Sequence, residues 1–245
     1  MNTEMNAAVD SNSANTNNSA ENVPLVEWAY DKIKEMIFQQ ILAPGQKLIY
    51  KDLCEKLGIS RTPIINALTR LEQEGYVVSE SFRGFYIKPI DIQEISDHFG
   101  IREALEVYSI EQALIGCTDA DLVILQKKID AHADYMPSVY DKKKYSLDAE
   151  VHLEIARMTG NKGLVDMLTH NLEHVYLRLA LSTSYPERML PAVHEHNELL
   201  ALMKNRDAAG CVALMREHIR KGRDHVIESL NRKEAYRSFA KGKAR

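Results

Sequence analysis

Cysteine is scarce and scattered: the 245-residue chain has three, Cys54, Cys117 and Cys211, with no CxxC spacing. That argues against a disulfide framework or a cysteine-based zinc site and fits a reducing cytosol. Long apolar runs are also missing. No stretch of about 18 apolar residues exists, so no membrane span is expected. Residues 1–22 hold no Lys or Arg and no apolar core, unlike a secretory signal peptide. Their Asn, Ser, Ala and Thr side chains bury too little surface to offset ordering entropy, so a disordered tail is expected there. Excess positive charge is absent as well. With 31 Lys and Arg against 35 Asp and Glu, the net charge of −4 gives no hint of a polyanionic partner. The expected location is the cytoplasm.

What is present is ordinary globular composition, 45% hydrophobic and 27% charged, on a chain long enough for two modest domains. Val26, Ala29, Tyr30, Ile33, Ile37 and Ile41 recur at helical spacing, and Ala43-Pro44-Gly45 opposes continuation. A second helix reads through Tyr50–Leu57, with Gly58 placed for a left-handed cap. Ser60 offers an N-cap hydroxyl, and Pro63 falls in the first turn of a third helix. That helix carries Ile64, Ala67, Leu68 and Leu71 on one face and stops at Gly75. Tyr76-Val77-Val78 and Phe85-Tyr86-Ile87 then flank a turn containing Arg83-Gly84, which reads as a hairpin. From Ile92 to Leu230 the pattern is helical throughout, enough for about six helices of ordinary length. A frayed, solvated tail of basic character is expected beyond.

Three helices followed by a β-hairpin are the plan of a winged helix-turn-helix, with helix three aimed at a major groove. The run Leu53-Cys54-Glu55-Lys56-Leu57-Gly58-Ile59-Ser60-Arg61-Thr62-Pro63-Ile64, with Ala67-Leu68-Thr69-Arg70-Leu71-Glu72-Gln73-Glu74-Gly75, resembles the GntR family of bacterial regulators. Ala43-Pro44-Gly45-Gln46-Lys47-Leu48 and the Arg83-Gly84 wing match as well. The resemblance implies that Arg61 and Thr62 open the recognition helix and meet phosphates and guanine edges. It places Arg70, Arg83 and Gly84 along the DNA backbone or minor groove. Where the family usually has arginine two residues after the Thr-Pro, this chain has Ile65, then Asn66. Ile65 can touch a thymine methyl and Asn66 can pair with adenine, so an unusual operator is expected, unless Asn66 simply faces solvent. Residues 24–90 hold nine Lys or Arg against eight Asp or Glu, net +1, a weak electrostatic footprint.

The second half resembles the FCD (FadR C-terminal) domain, the all-helical sensor of FadR-type GntR regulators. The matching segments are Ile101-Arg102-Glu103-Ala104-Leu105-Glu106, Asp148-Ala149-Glu150-Val151-His152 and Gly160-Asn161, then Glu195-His196-Asn197-Glu198-Leu199-Leu200 and Met215-Arg216-Glu217-His218-Ile219. The expected fold is therefore mainly α. It comprises a disordered tail (1–22), a winged helix-turn-helix (23–90), an all-α effector-binding and dimerising bundle (91–231) and a basic tail (232–245).

Asp148 and His152, at i and i+4, put a carboxylate and an imidazole on one helix face. Spacing alone leaves a plain salt bridge open. The resemblance adds His196 and His218 and implies a metal site of three imidazoles and one carboxylate, suited to a divalent transition ion: Zn first, Ni or Mn as alternatives. A rival i,i+4 pair, His170 and His174, lines the pocket or faces solvent. His194 stands about 200° around a helix from His196, too far to share its metal. Arg102 is the candidate anchor for an effector carboxylate, with an intrahelical pair to Glu106 as the alternative; Arg178 is a weaker candidate.

The implied function is a ligand-responsive transcriptional regulator, with repression the commoner family habit. It binds a palindromic double-stranded operator as a homodimer and responds to a small organic acid at the metal. A metal-ion sensor and a metal-dependent hydrolytic enzyme are the alternatives. Against the enzyme, no separate positioned base or nucleophile motif is visible.

Overall fold

The computed structural model describes residues 25–179 and 186–243, without the side chains of 178, 179, 186 and 233–243. The expected tail at 1–22 lies outside the described residues. The element order is α1 (Leu25–Phe38), α2 (Tyr50–Leu57), α3 (Arg61–Gln73), β1 (Val77–Glu80), β2 (Gly84–Ile87), α4 (Ile92–Gly116), α5 (Asp119–Asp134), α6 (Lys142–Met158), α7 (Lys162–Leu179), a 3-10 turn at Pro186–Arg188, α8 (Met189–Lys204) and α9 (Ala208–Lys243). Among the described residues no helix is long and apolar enough to cross a membrane.

α1 stops three residues short of Ile41. Gln40 takes φ +58°, and Ile41 N–H donates to Met36 O at 2.9 Å, the reversal of a Schellman cap with Gln40 in the place glycine usually fills. Pro44 and Gly45 therefore belong to the next turn, where Gly45 N–H reaches Ile87 O in the wing. α2 ends on Gly58 at φ +66°. Ser60 occupies the N-cap position of α3, but its hydroxyl makes no capping bond, contrary to expectation. The face of α3 is as its periodicity predicts: Ile64, Ala67, Leu68 and Leu71 have no exposed surface.

β1 and β2 pair antiparallel from Val77↔Ile87 to Glu80↔Gly84, and Lys47 bridges to Tyr86 on the outer side. This unit has its own core, built on Ile33, Leu53, Ile64, Leu68 and Ile87. Helices α4 to α9 enclose a second core around Ile110, Leu125, Ile155, Leu168 and Met203. Asp91, Thr118 and Asp141 cap α4, α5 and α6 with side-chain oxygens. α9 continues as helix to Lys243, past the point where fraying was expected. Phe38 packs against both cores and marks the joint between them.

Candidate metal centre and DNA-facing surface

The middle of the helical unit holds polar groups that an apolar core would not tolerate unpaired. α6 supplies Asp148 and His152, α8 supplies His196 and α9 supplies His218, all buried. One ligand atom from each lies within 4.8 Å of all the others. The rings of His152, His196 and His218 sit 4.9–5.1 Å apart, centroid to centroid.

Each of these three rings has its far nitrogen against another polar group. Nδ1 of His152 is 2.5 Å from Glu106 Oε2 on α4. The contact is short but poorly aligned for a hydrogen bond, so its weight is electrostatic. Nδ1 of His218 is 2.7 Å from Glu195 Oε2, and Arg188 grips that carboxylate with both guanidinium nitrogens, at 2.9 and 2.5 Å. Nδ1 of His196 lies 3.3 Å from Nδ1 of His132 on α5. If His196 donates its Nδ1 proton there, His132 carries its own proton on Nε2, which lies 3.7 Å from Asp148 Oδ1. Lys144, fully buried, secures the end of α5 by donating to His132 O at 2.5 Å.

With Nδ1 so engaged, Nε2 of each ring is the atom left to face Asp148. Nε2 of His152 and of His196 are each 3.8 Å from that carboxylate. Nε2 of His196 is buried with no hydrogen-bond partner. Burial pushes His132 down to about 4 and holds His196 and His218 below the usual histidine range, favouring the neutral, ligating form. Burial would raise the Asp148 carboxyl, but the surrounding histidines and Arg102 keep it well below its ordinary value and ionised. An orphaned imidazole nitrogen, neutral rings and a carboxylate fit a divalent cation. Asp148, His152, His196 and His218 would hold such an ion, each offering one ligand atom.

Arg102 forms the intrahelical pair with Glu106 that stood as the alternative to an effector role. Its Nε donates to Glu106 Oε1 at 2.5 Å, the intrahelical pair, while Nη2 stands 2.7 Å from Nε2 of His152. The guanidinium thus already points at the cluster. The Arg178 side chain lies outside the described residues. The rival pair His170 and His174 stands apart from the four. His174 is stacked between Tyr76 and His98 with centroids at 4.5 and 4.7 Å, and its Nε2 is 2.9 Å from Glu74 O at the end of α3. His170 meets His174 edge-on. His194 is exposed.

On the helix-turn-helix, Arg61, Thr62 and Asn66 are exposed at the start of α3, and Ile65 is half-buried. The Arg61 guanidinium rests 4.5 Å over the Tyr50 ring, which holds it at the surface. Arg83 is exposed on the wing beside Glu80, and Gly84 takes φ +94°. Arg70, expected along the DNA, has partners within the protein as well. It lies 3.8 Å over the Tyr30 ring and pairs with Glu27 at 2.5 Å and Glu74 at 3.1 Å, tying α1 to α3.

The FCD domain model matches residues 97–221, just over half of the chain. The model of bacterial regulatory proteins of the gntR family matches residues 25–87. The chain belongs to the FCD-domain regulators of the gntR family. It is 25% identical over 187 residues to the Nta operon transcriptional regulator of Aminobacter aminovorans, covering 76% of this chain and 87% of that one. It is 24% identical over 204 residues to the uncharacterized HTH-type transcriptional regulator YdhC of Bacillus subtilis, covering 82% and 88%.

Among solved structures, E. coli McbR/YncC superposes with a TM-score of 0.65 at 22% identity, covering 85% of this chain and 99% of that one. A putative transcriptional regulator GntR from Rhodococcus sp. RHA1 gives 0.67 at 15% identity, covering 83% and 97%. These likenesses establish the fold: a winged helix-turn-helix followed by an FCD helical bundle. This regulator is therefore a ligand-responsive DNA-binding protein, and its relatives are transcriptional regulators rather than enzymes.

Sequence reading missed Glu195, Arg188 and His132 as partners of the Asp/His cluster, and saw Glu106 only as a partner for Arg102. Glu195 is adjacent to His196 and Arg188 stands seven residues before Glu195, but His132 and Glu106 meet the cluster through tertiary packing alone.

Proposed function

We propose that this regulator is a homodimer on a palindromic operator whose affinity is set by a small organic acid. The acid binds at a divalent transition metal, zinc first, held by Asp148, His152, His196 and His218. The observation that carries this reading is the convergence of four buried ligand atoms within 4.8 Å, each imidazole backed by a polar partner. Such partners fix ring orientation and raise ligand basicity. Arg102 is the anchor for the effector carboxylate, since its guanidinium stands beside His152. Arg61, Thr62 and Asn66 read the major groove, and Arg83 and Gly84 lie along the backbone or minor groove.

The dimer is supported by an exposed apolar seam on α4, where Ile101, Tyr108 and Ile115 repeat every seven residues. In a two-fold dimer, recognition helices about 34 Å apart reach successive major grooves. A ligand that favours one relative arrangement changes operator affinity by a coupling of about 1–3 kcal/mol. Repression is the mode proposed.

The experiment is a thermal-shift screen of mono-, di- and tricarboxylic acids on metal-loaded and chelator-treated protein, followed by gel shifts. Stabilisation by an acid that needs the metal, with altered operator affinity, supports the reading. Equal operator affinity for metal-free, metal-loaded and acid-loaded protein removes it. A second reading, a sensor of the ion itself, is favoured by the contact of Arg102 with Nε2 of His152. An entering ion must displace that guanidinium, and operator binding that follows free metal alone would select this reading.

A further inference from the structure

The turn joining the wing strands carries a residue that folding does not account for. Arg83 N–H donates to Glu80 O at 3.0 Å, closing the turn Glu80-Ser81-Phe82-Arg83. Phe82 occupies the third position with φ +63°. That position and that sign of φ favour glycine or asparagine, and a bulky side chain there is strained. The ring gains no burial in return. Phe82 is fully exposed, at 110% of the reference surface, whereas Phe85 on the next strand is in the core. An apolar ring held outward by a strained backbone points from the strain to a use for it.

The surroundings of the ring name the partner. Phe82 sits beside exposed Arg83 on the wing of a domain whose function is to bind DNA. Residues 24–90 carry a net charge of only +1, so overall charge is a weak source of attraction to DNA. We propose that Phe82 is itself a DNA contact: the wing tip enters the minor groove and the phenyl ring packs on sugars and base edges. Phenylalanine is among the apolar wedges that minor-groove binders insert. This inference rests on the placement of α3 in the neighbouring major groove. It assigns to Phe82 a share of operator affinity that salt does not screen.

The probe is a duplex selected by the wild-type full chain from a random-sequence pool, titrated at several salt concentrations. Phe82→Asn and Phe82→Gly accept the positive φ, so their thermal midpoints are expected to equal or exceed that of the wild type. Their operator affinity is expected to fall about tenfold. The slope of log K against log salt stays the same, because the ring neutralises no phosphate. Phe82→Tyr, which keeps the ring, retains the wild-type affinity.

Wild-type affinity in both Phe82→Asn and Phe82→Gly overturns the inference. So does a loss of affinity accompanied by a lower thermal midpoint, which marks a structural residue. Arg61→Ala separates the two possible failures. If it abolishes binding while the Phe82 variants bind normally, the wing-tip contact alone is wrong. If it too binds normally, the placement of α3 is wrong.

Discussion

Glu106 Oε2 and His152 Nδ1 lie 2.5 Å apart, both buried, with Arg102 on the other carboxylate oxygen. One carboxylate thus lies against a ring of the proposed ligand set and pairs with the cation proposed to meet the effector. Burial would raise Glu106, but Arg102 and His152 hold it down to about 2, so it stays ionised at any pH where the protein functions. Glu106→Gln removes that charge without removing a ligand. Metal affinity is expected to fall about 10- to 100-fold, read by competition with a chromophoric chelator. Unchanged affinity contradicts a supporting role for Glu106.

Arg102→Met keeps a long apolar stem and deletes the guanidinium that stands against His152. Metal affinity is expected to hold or rise, because a competing cation leaves the cluster. Stabilisation of the metal-loaded protein by carboxylic acids is expected to vanish. For an acid at 100 times its Kd that is a loss of about 2.7 kcal/mol of ligand-linked stability. A thermal shift that survives in Arg102→Met places the effector elsewhere.

Two arginines on the same helix are expected to behave oppositely. Arg61→Ala loses specific operator binding and leaves the thermal midpoint unchanged. Arg70→Ala lowers stability by about 1 kcal/mol, a modest figure because the partly exposed ion pairs are screened by solvent. Paired melting and gel-shift titrations at fixed salt check both. A stable Arg70→Ala protein with lost operator affinity would restore Arg70 as a direct DNA contact.

His174 connects the two cores. It lies between Tyr76, just after α3, and His98, one turn ahead of Arg102 on α4, and it approaches the Glu74 carbonyl. His174→Ala is expected to uncouple operator affinity from metal and effector while leaving metal affinity intact. Operator titrations with and without the metal read this directly. A full response in the variant assigns the coupling to another contact.

Local order was legible where local chemistry decides it. The α2 limits and the buried face of α3 follow from spacing and the Gly58 cap, but the early end of α1 depends on Gln40 adopting a conformation that glutamine does not advertise. The four proposed ligands were legible through family resemblance, since Asp148–His152 spacing alone also fits a salt bridge. Their supports were not. His132 and His196 are 64 positions apart and meet only when α5 packs on α8. The ion pair of Arg70 was hidden for a related reason: its partner Glu27 is 43 residues upstream, and only the packing of α1 on α3 reveals the pair.

The central claim is that Asp148, His152, His196 and His218 hold one divalent ion. The direct measurement is elemental metal analysis of reconstituted, dialysed wild-type protein beside His152→Ala and His196→Ala, each verified as folded by circular dichroism. The expected result is about one transition-metal ion per chain in the wild type, as four donors imply, and close to none in the variants. A wild-type protein that retains no metal, or folded variants that retain a full equivalent, would contradict it.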